Sequence, residues 1–293
     1  MEEMFYCCEK SPVNGGFYYL HFDRDGKRRR IVVYYLSGLW FETTTQNEKP
    51  EWKPMFPYFK RIWESYHTTN PDIKIVYVYG NSKIERKPYD LVFEHVEENN
   101  YPGMITKTLL AMKFIDRTYD YNYLIRTNLS TFWNLPLLLD RLKTLPEKEC
   151  LAGTVITKDV VEAMLGKNAG KVFVPESYIA GYDMIMSRDV VREILPFQQN
   201  IINQRVVLNM EDLSLCLGIE KYLGIKHQPR HIRHEVANMF MSNTFMESHF
   251  DKIYNESIFL QQDHYRAKNR LNRNVDKIIL SRLLEKVYNI YEK

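Results

Sequence analysis

Residues 121–130 read Tyr121-Asn122-Tyr123-Leu124-Ile125-Arg126-Thr127-Asn128-Leu129-Ser130. Up to Arg126 this is a short, mostly apolar run, the pattern of a strand buried on both faces. Thr127 to Ser130 then form a polar loop ahead of a helix expected over Leu135–Leu145. A polar loop at the C-terminal end of a buried strand is where open α/β sheets bind ligands, so these residues carry more functional weight than an average loop.

The same alternation extends in both directions. Upstream, Asp72–Tyr79 reads as a strand stopped by Gly80-Asn81, and Asp90–Val96 as a shorter one. A helix over Tyr101–Asp116 then presents Ile105, Leu109, Met112 and Phe114 to the sheet. Downstream come strands at Leu151–Ile156 and Ser177–Ser187, the second carrying Gly181, and helices at Arg188–Leu195 and Glu211–Leu223. Strands alternating with helices predict an α/β fold, a mostly parallel sheet flanked by helices. At the start, Phe17–Phe22 and Arg30–Ser37 flank an Asp25-Gly26 turn and predict a hairpin, followed by a helix at Pro57–Tyr66. At the end, Asn274–Tyr291 has the periodicity of a terminal helix. No internal repeat and no linker rich in Gly, Ser or Pro interrupts the chain. One domain over residues 1–225, with an extension over residues 226–293 packed on it, is therefore expected.

Length and composition set the outer limits. A chain of 293 residues, 45% hydrophobic and 26% charged, can bury a sizeable core and is not low-complexity or disordered. Forty Lys and Arg against 37 Asp and Glu leave a net charge of +3, too small to point to nucleic acid as a partner. No apolar run approaches the roughly 20 residues of a membrane helix. Cys7, Cys8, Cys150 and Cys216 match neither a zinc spacing nor a disulfide framework. With no basic-then-apolar leader after Met1, the expected location is cytoplasmic.

Four segments carry a family resemblance: Lys107-Thr108-Leu109-Leu110-Ala111-Met112-Lys113, Tyr123 to Asn128, Ile179-Ala180-Gly181-Tyr182-Asp183-Met184 through Asp189, and Glu211-Asp212-Leu213-Ser214-Leu215-Cys216-Leu217. In this order they resemble the β-1,3-galactosyltransferase-like enzymes of glycosyltransferase family 31 and their bacterial and large-virus relatives. The resemblance spans roughly residues 72–225. It implies a GT-A (Rossmann-like) fold and inverting transfer of a sugar from a nucleotide diphosphate, usually a UDP-sugar, to a hydroxyl of a glycan or glycolipid. Eukaryotic members carry a membrane anchor, which this sequence does not show.

The resemblance also assigns roles. The family's Asp-rich metal motif falls on Arg126, Thr127 and Asn128, where no carboxylate remains to hold Mg or Mn. Asp23-Arg24-Asp25 has the metal spacing but sits in the expected hairpin turn, where Asp is favoured for turn chemistry alone. Without those carboxylates, a cation is needed to stabilise the departing diphosphate. The candidates are Arg126, Lys107, and the run containing His264, Arg266 and Lys268. Transfer with no required cofactor is thus expected, a divalent Mn or Mg remaining an alternative. Asp212 is the first candidate for the base that deprotonates the acceptor, and Glu211 the second. Gly181, Tyr182 and Asp183 correspond to the segment beside the sugar acceptor. Ser37, Gly38 and Asp90 fall by topology near the nucleotide.

Plainer readings stand beside these roles. Two acids at a helix N-terminus also suit capping and the helix dipole. Arg126 can be an ion-paired arginine, the basic run a solvated anion patch, and Gly181-Tyr182-Asp183 a strand turn with a core tyrosine. At the level of function, a catalytically silent GT-A module that binds nucleotide sugar or glycan is the alternative to an enzyme. The sequence leaves the oligomeric state, the donor sugar and the acceptor open.

Overall fold

The computed structural model describes residues 31–36, 61, 73–81, 90–97, 99, 101–129, 131–165, 175–204, 210–229, 264–266 and 273–289. The expected hairpin strand at 17–22, the Asp23-Arg24-Asp25 turn, Ser37, Gly38, Lys268, Cys7 and Cys8 lie outside them. So does the helix expected at 57–66, apart from Arg61.

Strands β1 (Ile31–Leu36), β2 (Ile73–Tyr79), β3 (Asp90–Val92) and β4 (Tyr123–Asn128) lie parallel, in the order β4-β1-β2-β3. Their apolar, β-branched and aromatic residues suit strands covered on both faces. Strand β9 (Asp183–Ser187) pairs antiparallel with β4 and with β6 (Leu151–Gly153), and β10 (Gln228–Pro229) adds to β6 in parallel. The sheet is therefore mixed: β9 alone runs antiparallel to its neighbours, and the other described strands of this sheet share one direction. Met184, Ile185 and Met186 are all buried, so β9 has the same continuous apolar look as its parallel neighbours and its direction leaves no mark on the sequence.

Helix α1 (Gly103–Thr118) packs on β1 and β2, and α4 (Arg188–Ile194) on β4 and β9; α3 (Lys158–Leu165) precedes α4 in the chain and α5 (Gln198–Asn203) follows it. Helix α6 (Glu211–Leu223) packs against both helices. Ile105, Leu109, Met112 and Ile115 of α1 share one core with Val76, Val78, Leu124, Met184 and Met186 of the sheet and with Leu213, Cys216 and Ile219 of α6. Each fully buried aliphatic side chain there contributes about 1.5–3 kcal/mol. Helix α6 ends at Gly224, whose left-handed φ of 70° suits a residue without a Cβ. Burial pushes the Cys216 thiol up, so it stays protonated, and Cys216 and Cys150 are free thiols.

Several boundaries differ from expectation. Strand β4 continues to Asn128, so Thr127 and Asn128 belong to the sheet and not to a loop. The reason is register: they pair with Tyr35 and Leu36 of β1. The strand expected at 151–156 divides into β6 and β7 (Val155–Thr157), and that at 177–187 into β8 (Ser177–Ile179) and β9. Gly153 ends β6 at this division, and a Cβ there would lie 2.6 Å from Ile179 Cγ2 and 2.7 Å from the Asp183 carbonyl oxygen. The strand expected at Asp90–Val96 stops at Val92, where the backbone turns and the Asn81 N–H bonds back to the Val96 carbonyl.

The opposite face of β4 is met by later parts of the chain. Strand β5 (Thr131–Trp133) follows β4 directly and pairs antiparallel with β11 (His264–Arg266). Helix α2 (Leu135–Leu142) starts with Asn134 capping the Leu137 N–H. Helix α7 (Arg273–Tyr288) buries Ile279, Leu280, Leu283 and Leu284. The Tyr288 hydroxyl donates to the Trp133 carbonyl at 2.6 Å and accepts the Leu135 N–H at 2.8 Å. Its ring lies 5.9 Å from that of Phe132. Among the described residues, no helix is long and apolar enough to cross a membrane.

Tyr288→Phe removes both hydrogen bonds and keeps the ring. It is expected to lower stability by about 1–3 kcal/mol, read from urea midpoints; an unchanged midpoint shows that the hydroxyl does not hold α7 to β5.

Candidate functional site

Because β1, β2, β3 and β4 run parallel, their C-terminal ends share one edge of the sheet. Leu36 is level there with Asn128 and with Val78. The pairing of Tyr77 with Asp90 places Asp90 one row back, level with Tyr35 and Thr127 across the sheet. This edge is where ligands meet open α/β sheets.

Alternation along β4 sends Arg126 to the side of Leu124, toward α1 and α6, and Thr127 to the other face. Arg126 is only 4% exposed. Its Nε donates to Glu211 Oε1 at 3.2 Å, and its Nη2 to Glu211 Oε2 at 2.5 Å. Nη1 donates to Asn128 Oδ1 at 2.7 Å and to the Gly181 carbonyl. Glu211, 5% exposed, also accepts the Thr108 hydroxyl at 2.7 Å. Burial pushes the Glu211 carboxyl up, with the Asp212 carboxylate adding to the rise; Arg126 and the Thr108 hydroxyl oppose it. The pair is a buried, bidentate ion pair with Thr108, Asn128 and the Gly181 carbonyl as further partners.

Asp212 is less enclosed. It is half-buried, its Oδ2 accepting the Gly181 N–H at 2.8 Å and its Oδ1 the Leu213 N–H at 2.9 Å. Each carboxylate oxygen can take more than one donor, so Asp212 keeps capacity for a further hydrogen bond. Gly181 lets the two elements approach closely. A Cβ there would lie 2.6 Å from Arg126 Nη1, 2.7 Å from its Cζ and 3.0 Å from Asp212 Cβ.

The metal-motif positions can be tested as a donor set. Arg126 is a cation, Asn128 Oδ1 already accepts from it, and the Thr127 hydroxyl donates to the Tyr182 carbonyl at 2.7 Å while accepting the Trp133 indole N–H at 3.1 Å. A guanidinium repels a divalent ion, and no carboxylate oxygen is on offer. The triplet does not fit a Mg- or Mn-type site. Among the described residues, no cluster of three or more His, Cys, Asp or Glu side chains has the geometry to hold a metal.

The other sequence-derived candidates divide. Gly181, Glu211, Asp212, Arg126 and Asn128 converge. Asp183 is fully buried, and its carboxylate accepts the Thr154 N–H at 2.9 and 3.0 Å and the Thr154 hydroxyl at 2.8 Å, which ties it to the β6–β7 bend. Tyr182 is buried, its carbonyl fixed by Thr127. Lys107 is buried on α1 beside Thr108. His264 and Arg266 lie on β11, level with Trp133 and Thr131, so their segment crosses the chain that leaves the end of β4. Reading the sequence alone passed over Thr108 and Thr154, whose partners lie 103 and 29 positions away. No local pattern marks either.

No protein family model matches the chain, and no curated protein matches it. Among solved structures, the chain is similar to the apo form of the glycosyltransferase GlyE of Streptococcus pneumoniae TIGR4, with 11% identity, 88% of this chain covered and a TM-score of 0.39. A second structure of GlyE gives 10% identity, 89% coverage and a TM-score of 0.36. The matched region spans 64% of the GlyE chain in both. A likeness this low carries no argument about fold or activity.

Arg126→Met leaves the Glu211 carboxyl buried without its cation and is expected to cost about 3–5 kcal/mol. Arg126→Met combined with Glu211→Leu removes both charges and is expected to recover most of that loss in urea unfolding. A double variant no more stable than the single one contradicts the ion-pair account.

Proposed function

We propose that the chain is an inverting glycosyltransferase that uses a nucleotide-diphosphate sugar, a UDP-sugar by preference, and a hydroxyl of a glycan or glycolipid as acceptor. The observation that carries this reading is convergence. The three segments whose resemblance assigns them to the metal motif, the acceptor side and the base meet within hydrogen-bond distance through Arg126, Gly181 and Asp212. They meet at the ligand-binding edge of the sheet.

In this reading Asp212 is the base. As the acceptor oxygen attacks the anomeric carbon, its proton passes to Asp212, and the bond from that carbon to the diphosphate oxygen breaks with the electron pair leaving on the diphosphate. Asp212 suits the role better than Glu211 because it is half-buried and held by backbone N–H groups, whereas Glu211 is sealed against Arg126. Arg126 is committed in the same way, so the charge of the leaving diphosphate falls to other donors. The segment of His264, Arg266 and Lys268 is the proposed source, supported by the pairing of β11 with β5 just beyond β4. Asp90, Ser37 and Gly38 remain proposed donor-side residues on topology, and Lys107 as a cation near the start of α1. Metal-independent transfer is proposed because the donor set at 126–128 does not fit a divalent ion.

A second reading has its own support. A buried ion pair at the metal-motif position is also what a silent module that binds nucleotide sugar or glycan without turning it over would carry.

A panel of UDP-glucose, UDP-galactose and UDP-N-acetylglucosamine, assayed for thermal stabilisation and for UDP release with and without EDTA, separates these readings. One donor is expected to stabilise the chain and to release UDP equally in EDTA. Stabilisation without release favours the silent module, and release abolished by EDTA and restored by Mn removes the metal-independent mechanism. Asp212→Asn is expected to keep the thermal shift and lower turnover by about 10²–10⁴-fold; turnover at the parent rate takes Asp212 out of the mechanism.

A further inference from the structure

Four contacts close into a ring. Arg126 Nη2 and Nε hold Glu211, the next residue is Asp212, Asp212 Oδ2 accepts the Gly181 N–H, and the Gly181 carbonyl accepts Arg126 Nη1. Arg126 lies so close over Gly181 that a side chain there would require the guanidinium to shift. Two acids adjacent in sequence thus have different partners: Glu211 is buried against the guanidinium, and Asp212, half-buried, is held by the turn that the same guanidinium holds. Thr108 and Asn128 fix the outer ends of the ring, on α1 and β4.

We propose that Arg126 is a positioning residue for Asp212. By binding Glu211 and the Gly181 carbonyl together, it decides which of the two acids faces the acceptor and fixes the amide that orients Asp212 Oδ2. The chain thus uses the position of its missing metal motif to build the base side of the site, not to hold the diphosphate. This rests on the glycosyl-transfer reading given under Proposed function. It differs from a donor-binding role for Arg126 in one measurable respect, because a positioning residue acts on turnover and a diphosphate contact acts on donor affinity.

Two variants test it. Arg126→Lys keeps a positive charge beside Glu211, but one ammonium does not reproduce a planar fork that spans Glu211, Asn128 and the Gly181 carbonyl together. The double variant, Arg126→Met with Glu211→Leu, removes both charges without stranding either. Hydrogen exchange at the Gly181 amide is measured by NMR, and UDP release is measured with whichever donor of the panel the parent protein turns over. The expected result is faster exchange at Gly181 in both variants, with kcat lowered by about 10²-fold, the effect of roughly 1 Å of misplacement, and donor KM within about twofold of the parent. Unchanged kcat overturns the proposal. So does a raised donor KM at parental kcat, which assigns Arg126 to the diphosphate instead. If the parent turns over no donor of the panel, the transfer reading fails separately. Exchange at Gly181 then decides alone: faster exchange upholds the ring as the device that orients Asp212, and parental exchange overturns it.

Discussion

A guanidinium inside a protein must be paired, and Arg126 meets that constraint with Glu211, 85 positions away. The pair joins β4 to the first turn of α6, and through Nη1 it also holds the turn before β9. Three elements distant in sequence are thereby fixed at one edge of the sheet. A hydrophobic core determines that α6 lies over the sheet; the ion pair determines where its N-terminus stands to within a hydrogen bond. Buried pairs of this kind are poor sources of net stability, because desolvation offsets most of their attraction. Geometric definition is the better account of this one.

That definition bears on chemistry. Resemblance alone offered Arg126 for the diphosphate and Asp212, then Glu211, for the base, all three in direct contact with substrate. Packing separates them, since the first two satisfy each other in the interior while Asp212 stays at the edge with its oxygens only partly used. The same packing ties Asp183 to Thr154 in the interior. A short polar motif therefore divides into residues that face outward and residues that hold them, by the alternation of a strand and the first turn of a helix.

Much of the fold was legible because apolar runs and helical periodicity are local signals. β2, α1, α6 and α7 fall within a few residues of where these patterns place them. Breaks set by distant contacts were not legible. The bend at Gly153 lies against Ile179 and Asp183, and the extension of β4 to Asn128 depends on pairing with β1. Thr108 drew no attention beside Lys107, because what marks it is a carboxylate brought in by another helix.

The residues along the chain were enough to establish the α/β class, the strand that ends at the candidate site, and the absence of any carboxylate from positions 126–128. These follow from composition and from spacing within a few residues. Only the tertiary structure decided that β9 runs antiparallel, that Arg126 is spent on Glu211, and that Asp212 is the acid left at the edge. The physical reason is common to all three. Strand direction, charge pairing and exposure depend on what lies opposite a residue in space, and here those partners are brought together by burial across tens of positions of chain.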